Sequence, residues 1–324
     1  MVGSGESVGE APAWFVAAMA TAPERHHLEV DGARIAYLAW GRPGAPLLTL
    51  VHGGAAHAYW WAHLAPLLAE DHRVVAVDLS GHGESDHRPR YGAEQWACEV
   101  MAVCARERGA GGPPVVVGHS MGGFVTIVAA ARHGEHLEGA IVLDSPVRRA
   151  DPESEEARRR GRNMFRAPKA YPDLATGMAH FHLVPPQPTT NPWLVAEVAR
   201  HSLRRWDDGT WRWKFDPRVF VERAGPSRPS EYAPDLAGAA CRLAIVSGAR
   251  SAIVDDAAIG QMRALVAGSP AAAAGVPFVQ VPEAHHHLLL DQPLATVTAL
   301  RALLATWRPV GTPPTPVRSG RGTA

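Results

Sequence analysis

The strongest constraint on the fold is an alternation of short apolar runs with longer amphipathic stretches along most of the chain. The runs are rich in Val, Leu and Ile and mostly lack polar positions, as expected of strands buried on both faces of a parallel sheet. They lie at residues 33–40, 46–51, 73–79, 114–117, 140–143, 242–246 and 277–281. The stretches between them predict helices at residues 61–70, 94–108, 122–132, 254–266 and 293–307. This order predicts an α/β protein with a doubly wound, mostly parallel sheet.

The alternation is interrupted once, between residue 147 and about residue 234. This segment has no strand-like run, but it has a charged helical stretch at residues 153–162 and a Pro-rich region at residues 185–192. Because the strands resume after it, we interpret the segment as an insertion into one core rather than as a boundary between two domains. We therefore expect a helical cap, inserted after the predicted strand that ends at Asp144.

The interruption divides the chain into four predicted parts. They are a flexible N-terminal segment at residues 1–25, an α/β core at residues 26–146 and 235–308, a helical cap at residues 147–234 and a flexible tail at residues 309–324. The two ends of the chain are expected to be flexible because they are rich in Gly, Ser and Pro.

Composition excludes several classes of function. The 32 basic residues balance 32 acidic ones, so the chain lacks the positive field that non-specific nucleic-acid binding needs, and we expect a small-molecule partner instead. No apolar run reaches about 18 residues and no secretory signal is visible, which predicts no membrane span and a cytoplasmic location. Cys98, Cys104 and Cys241 lack CxxC spacing and therefore indicate neither a disulfide framework nor a thiolate zinc site. The oligomeric state is not indicated.

The clearest chemical motif is Gly118-His119-Ser120-Met121-Gly122. A bare G-x-S-x-G is common by chance, but here an apolar strand precedes it and a helix follows it, which is the context of a nucleophile elbow. Glycines two residues either side of the serine allow a turn too sharp for larger side chains. The motif therefore predicts that Ser120 is a nucleophile exposed above the carboxyl edge of the sheet.

In these features the chain resembles the α/β-hydrolase fold superfamily, and two further segments carry the same resemblance. Residues 50–54, Leu-Val-His-Gly-Gly, resemble the family's oxyanion loop, which implies the backbone N–H groups of Gly54 and Met121 as oxyanion donors. Residues 78–85 resemble the family's D-x-x-G-x-G-x-S turn. The role of that turn in the family is architectural, so Asp78 and Ser85 are expected to be structural.

A third segment, residues 281–293, resembles the family's terminal histidine loop. Alignment on Pro282 and on the later Leu-Leu-Leu-Asp-Gln-Pro run places His286 at the catalytic position. His285 then stands where the family usually has glycine, so the register is open by one residue, with His285 and His287 as alternatives.

The family's serine and histidine act with a carboxylate as a Ser-His-acid triad, and the residue that supplies this acid is less apparent from the sequence. The family often carries it after the strand that ends here at Gly248, but that turn reads Ala-Arg-Ser-Ala and has no carboxylate. Some members instead carry the acid at the end of the strand after the nucleophile helix, and here that position is Asp144. Asp144 is therefore the predicted acid. Asp255 and Asp256 are the alternatives, although both also suit the start of a helix.

The resemblance implies a serine hydrolase that cleaves a small to medium, apolar carboxylic ester, lactone or thioester. His286 would take the proton of Ser120 as it attacks the carbonyl, and Asp144 would orient the imidazole. We expect no cofactor and no metal. Other serine chemistry of the family (amidase, C–C bond hydrolase or cofactor-free haloperoxidase) and a non-catalytic small-ligand receptor are the alternatives. An aspartate nucleophile, as in epoxide hydrolases, is disfavoured because the elbow carries serine.

Two further features of the sequence bear on metal binding and on specificity. The run from His82 to His87 superficially resembles a zinc-ligand motif, but Glu84 stands at the place of the second histidine, and HExxH is absent. Aromatic residues in the insertion either line an apolar substrate pocket or form the small core of the cap itself. They are Trp193, Trp206, Trp211, Trp213, Phe165, Phe181, Phe215 and Phe220.

Overall fold

The sheet is the part of the molecule that positions the candidate site. The computed structural model describes residues 10–148, 169–188, 190–221, 224–225 and 228–307. Within these ranges, eight strands form one sheet in the order β1-β2-β4-β3-β5-β6-β9-β10, and β7 and β8 form a separate pair. The strands are β1 (Glu24–Val30), β2 (Ala33–Trp40), β3 (Leu47–Val51), β4 (Arg73–Val77), β5 (Val115–His119), β6 (Gly139–Leu143), β7 (Leu203–Arg205), β8 (Trp211–Trp213), β9 (Arg242–Gly248) and β10 (Phe278–Val281).

Helices cover both faces of this sheet. They are α1 (Ala13–Ala20), α2 (Ala65–Leu68), α3 (Ala93–Glu107), α4 (Met121–Arg132), α5 (Leu174–Ala179), α6 (Pro192–His201), α7 (Ala233–Ala237), α8 (Asp256–Val266), α9 (Leu288–Asp291) and α10 (Pro293–Trp307). Side chains of α3, α4, α7 and α8 pack on one face of the sheet, and side chains of α1, α2, α9 and α10 pack on the other. None of the helices in the described ranges is long and apolar enough to cross a bilayer.

The central strands are buried on both faces, which is why they lack polar alternation. In β3, Leu48 and Leu50 pack into the core on the side of α10, while Leu47 and Val51 pack into the core on the side of α3 and α4. Pairing is antiparallel between β1 and β2 and between β2 and β4, and parallel from β4 through to β10. The predicted doubly wound, mostly parallel sheet is confirmed, and each predicted strand is present with bounds within two residues.

The register brings the carboxyl ends of the central strands together at one edge. Val51 at the end of β3 pairs with Gly118 in β5, and Leu143 at the end of β6 pairs both with His119 in β5 and with Val246 in β9. The loops that follow these four strands therefore meet above the sheet, where ligands bind in open α/β folds.

The N-terminal region differs from the expectation of a flexible segment at residues 1–25. Helix α1 lies inside it, and the Phe15 ring on that helix is buried 4.4 Å from the Trp193 ring. Strand β1 begins at Glu24 and pairs with β2 along its whole length. The strand was missed because it is a mostly polar edge strand with a largely exposed side-chain pattern. Residues 1–9 lie outside the described residues.

The insertion between β6 and β9 is not wholly helical, which corrects the prediction for residues 147–234. Its described part contains α5 and α6, but also the antiparallel pair β7 and β8. Each of these strands is only three residues long, and five of their six residues are Arg or Trp, so no periodicity revealed them. The charged stretch at 153–162, Phe165 and the tail at 309–324 lie outside the described residues.

Candidate active site

Ser120 occupies a sharp turn between β5 and α4. Its backbone has φ 54° and ψ −118°, a strained conformation for a residue with a side chain. A Cβ on Gly122 would lie 2.5 Å from the carbonyl oxygens of Val51 and His52, and one on Gly118 would overlap the Gly122 carbonyl. Only glycine therefore fits at either position. Ser120 itself is half-buried, whereas His119 and Met121 on either side are buried.

The tight fit at Gly122 predicts a large loss of stability on substitution. We expect Gly122→Ala to lower the free energy of unfolding by about 3 kcal/mol or more, because backbone on β3 must move to admit the methyl group. Gly260→Ala is the matched control, because Gly260 lies in helix α8 with nothing within 4 Å of its added Cβ. That change is expected to stabilise the protein by up to about 1 kcal/mol through helix propensity. Urea denaturation measures both, and equal stabilities of the two variants would contradict the packing argument.

A continuous hydrogen-bonded chain joins three of the predicted site residues. Ser120 Oγ lies 3.0 Å from His286 Nε2, and His286 Nδ1 lies 2.7 Å from Asp144 Oδ2. The side chains of His286 and Asp144 are almost completely buried. The structure therefore brings Ser120, His286 and Asp144 together from the ends of β5 and β6 and from the loop after β10.

Asp144 receives two further hydrogen bonds that hold its carboxylate in place. The Gly248 N–H donates to Oδ1 over 2.9 Å, and the Ser251 hydroxyl donates to Oδ2 over 2.6 Å. Ser251 stands in the loop where the resemblance suggested a carboxylate, and it supplies a hydroxyl donor to Asp144 instead. Sequence reasoning missed this partner, and the absence of an acid in that loop was the signal that could have indicated it.

The alternative acids lie elsewhere. Asp255 accepts a hydrogen bond from the Ala258 N–H over 2.7 Å, so it caps the start of α8, and its other carboxylate oxygen lies 3.6 Å from Arg148. Asp256 is the first residue of the same helix. Asp255 thus has a helix-capping role, and the His286 Nδ1 bond to Asp144 favours Asp144 as the acid.

The three consecutive histidines have three different environments. The ring Nδ1 and the backbone N–H of His285 both bond to the Asp291 carboxylate, at 2.7 and 2.8 Å respectively. The N–H of His287 donates to Gln187 Oε1 in the insertion over 2.8 Å. Of the three, His286 is the one whose ring reaches Ser120 Oγ. The geometry therefore favours the register of the prediction.

Burial holds the two histidines beside His286 in the neutral form. It lowers the pKa of His119 and of His287 well below the ordinary value, and the adjacent His286 lowers both further. The nearby carbonyls of Val184 and Pro185 act in the opposite direction on His287. A charge that develops on His286 is consequently not opposed by a second imidazolium at these positions.

The predicted oxyanion donors lie beside Ser120. A Cβ on Gly53 would lie 3.3 Å from Ser120 Cβ, and one on Gly54 would lie 3.8 Å from Met121 Sδ. Met121 is the first residue of α4, and the first amides of a helix have no acceptor within the helix. The loop after β3 and the N-terminus of α4 thus border the same space above Ser120.

The loop that carries Gly54 is anchored by His52. The His52 Nε2 atom accepts from the Leu79 N–H over 3.1 Å, and Nδ1 donates to the Gly53 carbonyl over 2.7 Å. Burial lowers the pKa of His52 to about 4, so the ring stays neutral and keeps one donor and one acceptor nitrogen. His52 is therefore a structural residue of this loop.

Asp78 and Ser85 also make structural contacts. The Asp78 carboxylate accepts from the Ala58 N–H over 2.6 Å and from the Glu84 N–H over 2.9 Å. Ser85 donates to the Asp78 carbonyl and accepts from the Ala36 N–H. Burial raises the pKa of Asp78 to about 6. These bonds tie the turn after β4 to β2 and to the loop before α2.

Some aromatic residues of the insertion approach the site and others do not. The Phe181 ring lies 6.2 Å from the Trp60 ring, which itself lies 5.6 Å from the His287 ring. A Cβ on Gly54 would lie 3.1 Å from the Phe220 ring. By contrast, Trp206 is 41% exposed and lies beneath Arg204 and Arg212. Phe181 and Phe220 therefore approach the site, whereas Trp206 lies at the surface of the insertion. Trp213 packs on Phe181 within the insertion, as expected if some of these rings form a small core there.

Comparison with known proteins identifies the family. A family model described as the alpha/beta hydrolase fold matches residues 46–293. The chain belongs to the α/β-hydrolase fold family. Across 87% of this chain it superposes on 99% of the crystal structure of E-2-(acetamidomethylene)succinate hydrolase, with a TM-score of 0.73 and 20% identity. The sequence-based fold prediction is thereby confirmed.

Two curated relatives of this α/β hydrolase carry different activities in their names. Esterase Rv0045c of Mycobacterium tuberculosis is 28% identical over 288 residues, which cover 86% of this chain and 88% of the esterase. A structure of that esterase, described together with its transition metal inhibition, covers 88% of this chain and 92% of the esterase chain at a TM-score of 0.67 and 20% identity. Epoxide hydrolase 4 of Mus musculus is 31% identical over 119 residues, 36% of this chain and 33% of that protein.

Proposed function

We propose that this protein is a serine hydrolase that cleaves a small to medium, apolar carboxylic ester. Ser120 is the nucleophile, His286 the general base and acid, and Asp144 the carboxylate that orients His286. The observation that carries the proposal is the hydrogen-bonded chain from Ser120 Oγ through His286 to Asp144, with lengths of 3.0 and 2.7 Å.

The reaction follows from this chain. Ser120 Oγ attacks the ester carbonyl carbon while His286 Nε2 takes the hydroxyl proton, and the carbonyl oxygen becomes an oxyanion. The N–H groups of Gly54 and Met121 donate to that oxyanion, each contributing on the order of 3 kcal/mol by precedent in other enzymes. His286 then returns the proton to the leaving alkoxide. Water repeats the sequence on the acyl-serine and releases the acid.

Asp144 stabilises the imidazolium that forms on His286. Its carboxylate is held by the Gly248 N–H and the Ser251 hydroxyl as well as by His286. These bonds fix the carboxylate before the reaction begins, so little reorganisation accompanies the proton transfer. The neutral rings of His119 and His287 add no opposing charge.

The surroundings of Ser120 favour an apolar acyl or alcohol group. Trp60, Phe181 and Phe220 contribute aromatic surface near the site, and apolar surface in a pocket selects apolar groups. The insertion that holds Phe181 and Phe220 is proposed to act as the cap. The esterase relative, which aligns over most of both chains, supports an ester as substrate. Lactones and thioesters undergo the same acyl transfer and remain within the proposal.

Covalent labelling tests the nucleophile directly. A fluorophosphonate probe is expected to modify the folded protein at one site, on the peptide that contains Ser120, because Ser120 is half-buried and bonds to a histidine that a carboxylate orients. Ser202 also lies 2.9 Å from a histidine, His57, but it is buried and its hydroxyl donates to the Val198 carbonyl. Protein unfolded in urea is the control and is expected to remain unlabelled, since His286 then no longer contacts Ser120. Labelling is measured by intact and peptide mass spectrometry. Absence of labelling in the folded protein contradicts the proposal.

Substrate class is tested by comparing p-nitrophenyl butyrate with styrene oxide. Turnover of the ester without turnover of the epoxide is expected, because the elbow carries a serine and epoxide opening in related enzymes uses an aspartate. Hydrolysis of the epoxide at a comparable rate would instead place the protein with the epoxide hydrolases.

A further inference from the structure

Three histidine rings form a cluster beside Ser120. His119, His286 and His287 each offer a ring nitrogen within 4.8 Å of the other two, and all three residues are buried. The ring centroids lie 4.6 to 5.6 Å apart. The ester mechanism proposed above uses His286 alone, so the other two rings have no assigned role in it.

Two of the rings carry nitrogens without hydrogen-bond partners. Among the described residues, no group forms a well-aligned hydrogen bond to His119 Nδ1 or to either ring nitrogen of His287, although His119 is 1% exposed and His287 5% exposed. The carbonyls of Val184 and Pro185 lie near His287 and can accept from its protonated nitrogen, which leaves the other ring nitrogen with its lone pair. Buried polar atoms of this kind are unfavourable and are normally paired. Their presence on two adjacent rings leaves nitrogen lone pairs that a ligand accepting them would satisfy.

The existing bonds leave a lone pair on the remaining nitrogens. His119 Nε2 donates to the His286 carbonyl over 2.9 Å, so Nδ1 of the neutral ring carries the lone pair. His286 Nδ1 bonds to Asp144, which leaves Nε2 as the nitrogen that accepts from Ser120. Neutral imidazole nitrogens in a set of three are ligands for Zn²⁺ and for other late divalent metals.

We propose that His119 Nδ1, His286 Nε2 and one nitrogen of His287 form an inhibitory binding site for Zn²⁺. Ligand nitrogens at about 2.0–2.1 Å from zinc stand roughly 3.4 Å apart in a tetrahedron, so the rings must approach by on the order of 1 Å. The fourth position is open to Ser120 Oγ or to water. The Asp144 carboxylate behind His286 is the kind of outer partner that zinc-bound histidines have.

Inhibition follows from the use of one lone pair for two purposes. His286 Nε2 accepts the Ser120 proton in the proposed ester mechanism, and a zinc ion bound to that nitrogen removes the base. The inhibitory effect therefore rests on the proposed function, whereas the metal site itself does not. Ser120 is half-buried while the cluster is buried, so the ion is expected to enter from the side of Ser120.

Zinc sensitivity of ester turnover tests the inhibition. Chelator-treated protein is assayed with p-nitrophenyl butyrate, zinc is added, and EDTA then restores the rate. We expect His287→Phe to raise the zinc concentration for half-inhibition by about 100-fold or more, since even outer partners of a metal change its affinity by about 10- to 100-fold. His285→Gln is the matched control, because His285 is in the same run but bonds to Asp291. His285→Gln is expected to keep the zinc concentration for half-inhibition of the unmodified protein. The inhibited rate of each variant is compared with the rate of the same variant without metal.

Direct metal binding keeps the two proposals distinguishable. Co²⁺ replaces Zn²⁺ as the probe, because its visible absorption reports tetrahedral coordination by nitrogen. The measurement uses folded Ser120→Ala protein and does not depend on ester turnover. The spectrum is expected to appear in that variant and to disappear when His287→Phe or His119→Gln is added to it. No ester turnover by metal-free protein would overturn the proposed function. A folded protein that binds no Co²⁺, or zinc sensitivity unchanged in both His287→Phe and His119→Gln, would overturn the metal site.

Discussion

Ser120→Ala is expected to lower kcat/KM for p-nitrophenyl butyrate by about 10⁴-fold or more, with the free energy of unfolding little changed. The oxygen proposed as the nucleophile is the only non-hydrogen atom removed, and any remaining rate is expected to come from the proposed oxyanion donors and from water. Relief of strain is also expected to be small, because alanine retains the Cβ at the same φ of 54°. Initial rates and urea denaturation measure the two quantities.

Ser145→Ala is the control for this variant. Ser145 is a buried serine in the loop after β6, and its hydroxyl donates to the Ser120 carbonyl over 2.7 Å. Loss of that neutral hydrogen bond removes about 1 kcal/mol of stability and leaves the nucleophile in place. We expect the rate to stay within about tenfold of the unmodified protein. If Ser120→Ala turns over the ester as fast as the unmodified protein, Ser120 is not the nucleophile, whatever the rate of Ser145→Ala.

Asp144→Asn is expected to lower kcat by about 10⁴-fold, the size of the effect when the acid of a Ser-His-Asp triad becomes an amide. An amide NH₂ that faces His286 Nδ1 donates a hydrogen bond where the carboxylate accepted one, so it favours the wrong tautomer of the imidazole. A neutral amide also no longer stabilises the imidazolium. Asparagine has one acceptor oxygen and one NH₂ donor, so it cannot accept from the Gly248 N–H and from the Ser251 hydroxyl at two different oxygens as Asp144 does. Steady-state kinetics at saturating ester measures the loss.

Asp255→Asn separates this prediction from a general effect of removing a carboxylate. Asparagine caps helices about as well as aspartate, so the fold of α8 is retained and kcat is expected to change by less than about threefold. A large loss in Asp255→Asn together with a small loss in Asp144→Asn would show that the wrong carboxylate has been assigned.

Local features of the chain were the ones that sequence reasoning predicted best. The strands β3 to β6 are continuous apolar runs because both faces of the sheet are covered, and such runs are visible without any knowledge of the partner strands. The elbow around Ser120 was equally visible, because its two glycines leave a recognisable spacing in the sequence. Gly118 and Gly122 are required there by close backbone contacts, within the turn and with the adjacent strand. Edge strand β1 and the pair β7 and β8 were missed, since short, exposed strands carry little periodic signal.

Most strands of the sheet, the turn at Ser120 and a short set of candidate acids and bases were predictable without coordinates, because apolar runs and glycine spacing are local patterns in the chain. A choice among those candidates needs contacts between residues that are distant in the chain. His286 lies 166 positions from Ser120 and 142 from Asp144, so no local pattern can report whether their side chains meet. The same holds for Ser251, which reaches Asp144 across 107 positions, and for the contact of His119 with His287. Parallel pairing places the carboxyl ends of distant strands at one edge, and that packing assembles the site.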